Sequence, residues 1–304
     1  MTTVSILLLC WNHSAYLEQC IAALAAQDRD GVELLFLDNG SSDGSVDQAK
    51  ALFDRHGLTA TILCNAEPKG IAANLNLLLA RSAGALVAPL STDDWYEPGY
   101  VAAMRRQAAA DPQAGWFACD GYLFFEDSGE RAPIRSDDFR GGRVLDDLLD
   151  GKNPHNFVGC CYRREALEAV GGWDERLPIE DRDLFVRLAQ RYPVSIVERR
   201  LVNYRRSSQA ASADPAFMAR GWAAYFAKHR DLFGPRLARQ RAAALQGVAA
   251  VAVDRGELLL AARLIRAALL AAPASLPSWR TAAYLLRTMV SARRRSGGAG
   301  SAPP

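Results

Sequence analysis

Short apolar runs alternate with helical segments through the first ninety residues, and this alternation limits the possible folds more than any other feature of the chain. Val4 to Leu9 reads as a buried strand and Tyr16 to Ala26 as a helix. Val32 to Leu37, Thr59 to Cys64 and Ala85 to Leu90 read as further strands, with helices at Ser45 to His56 and Ile71 to Ser82 between them. Strands of this length separated by ten- to twelve-residue helices make βαβ units and a mainly parallel sheet. Such sheets bind ligands beyond the carboxyl ends of their strands. Two polar clusters fall there, "DNGSSDGS" from Asp38 and "STDDW" from Ser91.

The middle of the chain is less regular. Trp116 to Phe125 reads as a strand pair broken near Asp120-Gly121, and Phe157 to Tyr162 as another strand. Asp183 to Arg191 has helical apolar spacing, and Val194 to Val197 and Leu201 to Tyr204 read as short strands. From Phe217 the pattern is helical, with a helix pair at Glu257 to Ala272 and Ser278 to Val290. The expected organisation is an α/β domain over residues 1–212, a helical extension over 213–292 and a disordered tail over 293–304.

A formal net charge of +2 argues against a nucleic-acid partner. Six cysteines without a CxxC pair fit buried thiols in a reducing compartment rather than zinc ligands. No apolar stretch reaches the ~18 residues that span a bilayer, and the start lacks the pattern of a secretion signal. A cytoplasmic protein is expected, with a peripheral contact to the inner face of the membrane through its arginine-rich C-terminal helices.

Asp93 and Asp94 follow the fourth apolar run directly. They read either as the cap of a following helix, since Glu97-Pro98 resembles a helix start, or as ligands of a hard cation such as Mg²⁺ or Mn²⁺. Trp11, just after the first strand, offers an aromatic face for a base or belongs to the core. Gly40 and Gly44 serve turns.

"VSILLLCWNHSAYLEQCIAAL", "LLFLDNGSSDGS", "KGIAANLNLLLARSAGALVAPLSTDDWYEP" and "GGWDERLPIEDRDLFVRL", in this order, resemble the inverting family-2 glycosyltransferases of GT-A fold. The likeness covers roughly Thr3 to Ser212. It implies a Rossmann-like nucleotide-diphospho-sugar transferase domain followed by the helical extension. The implied activity is metal-dependent, inverting, hexosyltransferase-like transfer of one sugar from a UDP- or dTDP-linked donor to a glycan, lipid-linked or protein acceptor, as in cell-surface polysaccharide synthesis. By resemblance Asn12, Asp38, Asn76 and Asp93 bind the donor, Trp11 and Arg205 are further donor-binding candidates, and Asp94 with Asp93 holds Mn²⁺ or Mg²⁺. Asp181 is the general base, with Glu180 and Trp173 on the acceptor side.

The chain departs from the common pattern at Ser91, where relatives carry another acid, and at Leu75, where many carry arginine. Lys69, Arg205 and Arg206 are the candidates to replace that cation, the two arginines on a loop that closes over the phosphates or is merely solvated. Asp181 and Glu180 also suit a helix N-terminus, and Trp173 suits the core. His155 is left unassigned. No Gln-x-x-Arg-Trp motif follows Asp181, so a non-processive enzyme is expected. The alternatives are a catalytically weak sugar-nucleotide-binding scaffold and a related nucleotidyltransferase, the latter lacking its glycine-rich phosphate loop here.

Overall fold

The computed structural model describes residues 2–134, 140–152, 157–206 and 213–297, with the side chains of residues 157 and 289–297 left aside. His155, part of the segment from Asp120 to Arg143, the stretch 207–212 and the tail 298–304 lie outside the described residues. The chain divides into two compact units, Met1–Ser207 and Ser208–Pro304, a boundary five residues before the expected one.

The first unit opens with β1 (Val4–Cys10), α1 (Leu17–Ala25), β2 (Val32–Asp38), α2 (Ser45–Arg55), β3 (Ala60–Cys64), α3 (Ile71–Arg81) and β4 (Leu86–Ser91). β1 is apolar at nearly every position because both its faces are covered. α1 turns Leu17, Cys20, Ile21 and Leu24 inward, the spacing of one helical stripe. β3, β2, β1 and β4 lie side by side and parallel, with Cys10 beside Asp38 and Leu9 beside Ser91. The carboxyl ends of β1, β2 and β4 therefore finish at one level.

The second half of the sheet is mixed. β5 (Trp95–Tyr96), α4 (Tyr100–Ala110), β6 (Trp116–Phe125), β7 (Arg131–Pro133), α5 (Leu145–Leu149), β8 (Cys161–Arg163), α6 (Arg164–Ala169), α7 (Glu180–Ala189) and β9 (Val194–Arg206) follow. The described residues form a nine-stranded sheet in the order β3-β2-β1-β4-β8-β6-β9-β5, with β7 on β6. β8 runs antiparallel to β4 and β6, while β9 runs parallel to β6.

Several expectations change. The break near Asp120-Gly121 is a bulge inside one continuous β6, and the two short strands at its side are one long β9 that follows the same irregularity. Residues Phe157–Gly159 form a single 3-10 turn rather than a strand. α4 starts at Tyr100 after Gly99, whose φ of 86° needs glycine, so neither Asp93 nor Asp94 caps it.

The second unit is helical: α8 (Pro215–Lys228), α9 (Arg230–Phe233), α10 (Leu237–Asp254), α11 (Leu258–Ala271) and α12 (Leu276–Gly297). Alanines and leucines of α10 and α11, with Leu285 of α12, form its core. α12 runs five residues into the segment expected to be disordered.

Candidate active site

Asp38 closes β2 and is 2% exposed. Its Oδ2 accepts the backbone N–H groups of Gly40 (3.1 Å) and Ser41 (2.9 Å). Gly40 makes that turn possible with φ 76°, and a Cβ there would press on Pro68 at 3.3 Å. The other oxygen, Oδ1, is buried without a hydrogen-bond partner among the described residues. A buried carboxyl with one oxygen fixed and one bare is built to bond something that arrives.

The neighbouring loops are braced around it. Asn12 has φ 56°; its N–H donates to Ser41 Oγ (2.8 Å) and its Oδ1 accepts from the Ser42 N–H (2.9 Å). Its side chain therefore holds the two loops together. Asp43 accepts from the Ser14 N–H (2.8 Å) and from Ser45 Oγ (2.5 Å). Burial works to raise its pKa, but hydrogen bonds from Ser45 and Ser14 outweigh it and hold the carboxyl at about 2. Trp11 stands on this edge with 53% of its surface exposed, which removes it from the core. The Lys69 backbone is held beside Asp38 by Asn39, which accepts from the Lys69 N–H (2.8 Å) and donates to the Lys69 carbonyl (3.0 Å).

Asp93 and Asp94 lie on the turn that leaves β4. Thr92 anchors the turn through its N–H and hydroxyl to the Leu9 carbonyl (2.9 and 3.1 Å) and meets His13 Nδ1 at 2.9 Å. Asp94 is 2% exposed, and its Oδ1 accepts the Arg205 N–H at 2.7 Å. Burial, and then the charge of Asp93, push its carboxyl well above the ordinary range. Asp93 Oδ1 is buried without a hydrogen bond among the described residues and lies 4.0 Å from His13 Nδ1. Burial lowers the pKa of His13, so its ring offers little positive charge. A buried acid beside a part-buried one that has a bare oxygen is the situation a divalent cation relieves. The residues therefore fit Mn²⁺ or Mg²⁺ as a two-carboxylate site, to be completed by donor oxygens. Among the described residues no group of three or more metal-ligating side chains occurs.

Arg205 does not sit on a loop. It belongs to β9 and is 6% exposed. Nε donates to the Asp93 carbonyl (2.9 Å) and Nη2 to Gln19 Oε1 (2.6 Å). The guanidinium lies over the rings of Tyr16, Phe124 and Trp95 at 4.5, 4.8 and 5.3 Å. Its bonding places it as a buttress of the acid turn.

Glu180 and Asp181 occupy the first turn of α7, where an acid side chain meets the positive end of the helix. Neither caps the helix: Ile179 holds that position. Glu180 is buried and its pKa is pushed up to about 8, by burial first and by Asp181 second. Burial also raises Asp181, but Arg182 and the Arg182 N–H (2.7 Å) support its ionised form. Of the two acids, Asp181 is the one equipped to carry the charge.

Two residues expected at the site are structural here. Trp173 is 1% exposed, edge-on to Tyr162 at 6.0 Å, and so belongs to the core rather than to an acceptor wall. Asn76 spends its amide on the segment beyond α6: Nδ2 donates to the Trp173 carbonyl (2.8 Å) and Glu175 (2.9 Å), and Oδ1 accepts the Trp173 N–H (3.0 Å). Asn74, two residues earlier and on another face of α3, is 2% exposed and accepts from Asn65, which also donates to Asn39. Sequence reasoning missed Asn74, His13, Asp43 and Gln19. Only Asn74 carried a signal, a polar residue among the inward-facing leucines of α3.

Comparison with known proteins bears on the fold and the family. A 29% identical relative over 172 residues is the putative glycosyltransferase EpsH of Bacillus subtilis (strain 168). The match takes in 55% of this chain and 48% of EpsH, so the chain spans about half the length of that relative. Among solved structures, the mannosyltransferase PcManGT from Pyrobaculum calidifontis, in complex with GDP-Man and Mn²⁺, shares the fold with a TM-score of 0.63 and 22% identity. That likeness covers 95% of this chain and 80% of the other. S. aureus TarS 1-349 in complex with UDP-GlcNAc shares it with a TM-score of 0.59 and 13% identity, over 86% and 88% of the two chains. The sequence profile of glycosyl transferase family 2 matches residues 5–171, more than half of the chain, and the chain belongs to that family.

Proposed function

We propose that the chain transfers one sugar from a nucleotide-diphosphate sugar to an acceptor hydroxyl, with inversion at the anomeric carbon. The observation that carries this reading is the placement of bare, buried carboxylate oxygens of Asp38 and Asp93 at the carboxyl edge of one parallel sheet. Complexes of similar folds with GDP-Man and with UDP-GlcNAc support the donor class.

In this reading Trp11 stacks on the base, and Asp38 Oδ1 accepts from the base N–H or a ribose hydroxyl. Asp93 and Asp94 hold the divalent cation, which would supply positive charge against the negative charge of the departing nucleoside diphosphate. Arg205 keeps the two acids in place. Asp181 accepts the proton of the acceptor hydroxyl as its oxygen bonds to the anomeric carbon. The bond from that carbon to the diphosphate breaks, and its electron pair leaves with the nucleotide. A neutral Glu180 beside Asp181 leaves the basic role to one carboxylate.

The test is a screen of UDP-, dTDP- and GDP-sugars for binding and transfer, with Asp181→Asn as control. The variant keeps donor affinity and loses about 10²- to 10⁴-fold in turnover. Near-normal transfer by Asp181→Asn refutes the base assignment.

A further inference from the structure

In the second unit, the helical hairpin of α11 and α12 leaves an apolar surface uncovered. Among the described residues eleven large apolar side chains are exposed, and six of them lie on this hairpin. Leu259 is 82%, Leu270 73%, Leu276 69% and Leu286 63% exposed, with Trp279 at 55% and Tyr284 beside them. On α11 the exposed residues Leu259, Ala262, Arg263, Arg266 and Leu270 recur at the spacing of a single helical face. Leu276, Trp279, Arg280, Ala283 and Arg287 do the same on α12. The two helices meet along an apolar groove of about 520 Å³, walled by Ile265, Arg266, Leu269 and Leu270 on one side and Leu285 and Leu286 on the other.

The charge along these two helices is positive, with Asp254 and Glu257 at the end where α11 begins. From Leu258 to the end of the chain there is no aspartate or glutamate. Arg263, Arg266, Arg280 and Arg287 are all exposed and interleaved with the leucines. A long arginine stem can lie along apolar material while its guanidinium reaches out to an anion. The Trp279 indole N–H already donates to the Pro273 carbonyl at 2.8 Å, so its ring can leave water with its polar atom satisfied. No described helix is long and apolar enough to cross a membrane.

We propose that the α11–α12 hairpin is a docking surface for an anionic phospholipid bilayer, lying in the plane of the headgroups with its leucines turned into the acyl boundary. Mixed leucine and arginine along the exposed faces of both helices, with acids only at the end where Asp254 meets Tyr284 and Glu257 opens α11, is the chemistry of an interfacial helix. It fits a bilayer better than a second copy of this basic surface, which would set arginine against arginine. The inference is independent of the sugar-transfer reading and leaves it untouched if it fails.

The experiment is flotation of the full chain with vesicles of mixed phosphatidylglycerol and phosphatidylcholine, against phosphatidylcholine alone, at low salt. The protein should float with the anionic vesicles and stay behind with the neutral ones. Leu270→Glu/Leu286→Glu should abolish flotation, with circular dichroism confirming that the helices persist. If that variant does not fold, the quadruple change of Arg263, Arg266, Arg280 and Arg287 to Gln serves instead. Each juxtamembrane arginine is worth about a fivefold change in partition, so the quadruple variant should lose roughly several-hundred-fold in affinity. Wild-type protein that stays in solution with anionic vesicles overturns the proposal. So does a dimer in analytical ultracentrifugation that Leu270→Glu/Leu286→Glu dissociates while vesicles bind nothing, since that face then belongs to a second copy.

Discussion

Replacing Glu180 with Gln removes an ionisation that the fold opposes. In the folded chain the Glu180 carboxyl is raised from 4.5 to about 8, by burial and then by Asp181. Between those two values the folded chain keeps a proton that the unfolded chain has released. The stability this group contributes is complete below about pH 4.5 and is lost as pH climbs through 8. Each pH unit inside the window costs about 1.4 kcal/mol. From pH 6 to pH 9 the wild-type protein therefore loses about 3 kcal/mol through this one carboxyl. Gln has nearly the same volume and cannot ionise, so the variant escapes the loss. At about 2–4 °C per kcal/mol for a unit of this size, the gap between the two melting temperatures should widen by roughly 6–12 °C over that pH range. Thermal melts of both proteins at pH 6 and pH 9 provide the measurement. Melting temperatures that fall in parallel would refute the buried, protonated state of Glu180.

Asp94→Ala should abolish transfer and remove the Mn²⁺ dependence of nucleotide binding, read by calorimetric titration with and without EDTA; equal affinity in the two conditions for the wild-type protein would defeat the metal assignment. Trp11→Ala should weaken nucleotide binding by about tenfold, in line with the ~1–3 kcal/mol of a base stacked on an aromatic ring, while the melting temperature holds, because the side chain is half exposed. Asn76→Ala should do the reverse. Loss of its bonds to the Trp173 backbone costs about 1–3 kcal/mol of stability, and a nucleotide titration should show donor affinity unchanged.

The sheet from β1 to β4 was legible because each of its elements declares itself locally. Strands buried on both faces read as unbroken apolar runs, and α1 carries its inward stripe at helical spacing. The positions of Asp38, at the end of β2, and of Asp93 and Asp94, just past β4, were legible for the same reason, since the boundaries of those strands are plain. Asn76 shows the limit. Two residues along a helix rotate a side chain by about 200°, so a motif displaced by one such step exchanges one face for another. Trp173 shows a second limit, because tryptophan is as much a core residue as a binding one and only packing decides. The bulge that keeps β6 and β9 whole across Asp120 depends on pairing between distant segments, which no local pattern records. Arg205 depends on that pairing too, and so appeared in sequence as part of a basic loop.

The bond between the Arg205 N–H and Asp94 joins residues 111 apart in the chain. It also imposes an order on assembly. Translation delivers β1 to β4 well before β9, so the acid turn is made long before its partner exists. Closing a loop of that length is entropically slow. Until it closes, Asp93 and Asp94 have neither the guanidinium buttress nor the fixed backbone that burial demands, and water must solvate them. The parallel half of the sheet can therefore collapse early, while the acid turn sets only with the last strand. A ribosome-bound chain arrested before β9 should show protected amides in β1 and β2 and rapid exchange at Asp94, the acid turn thus maturing as one of the final events of folding.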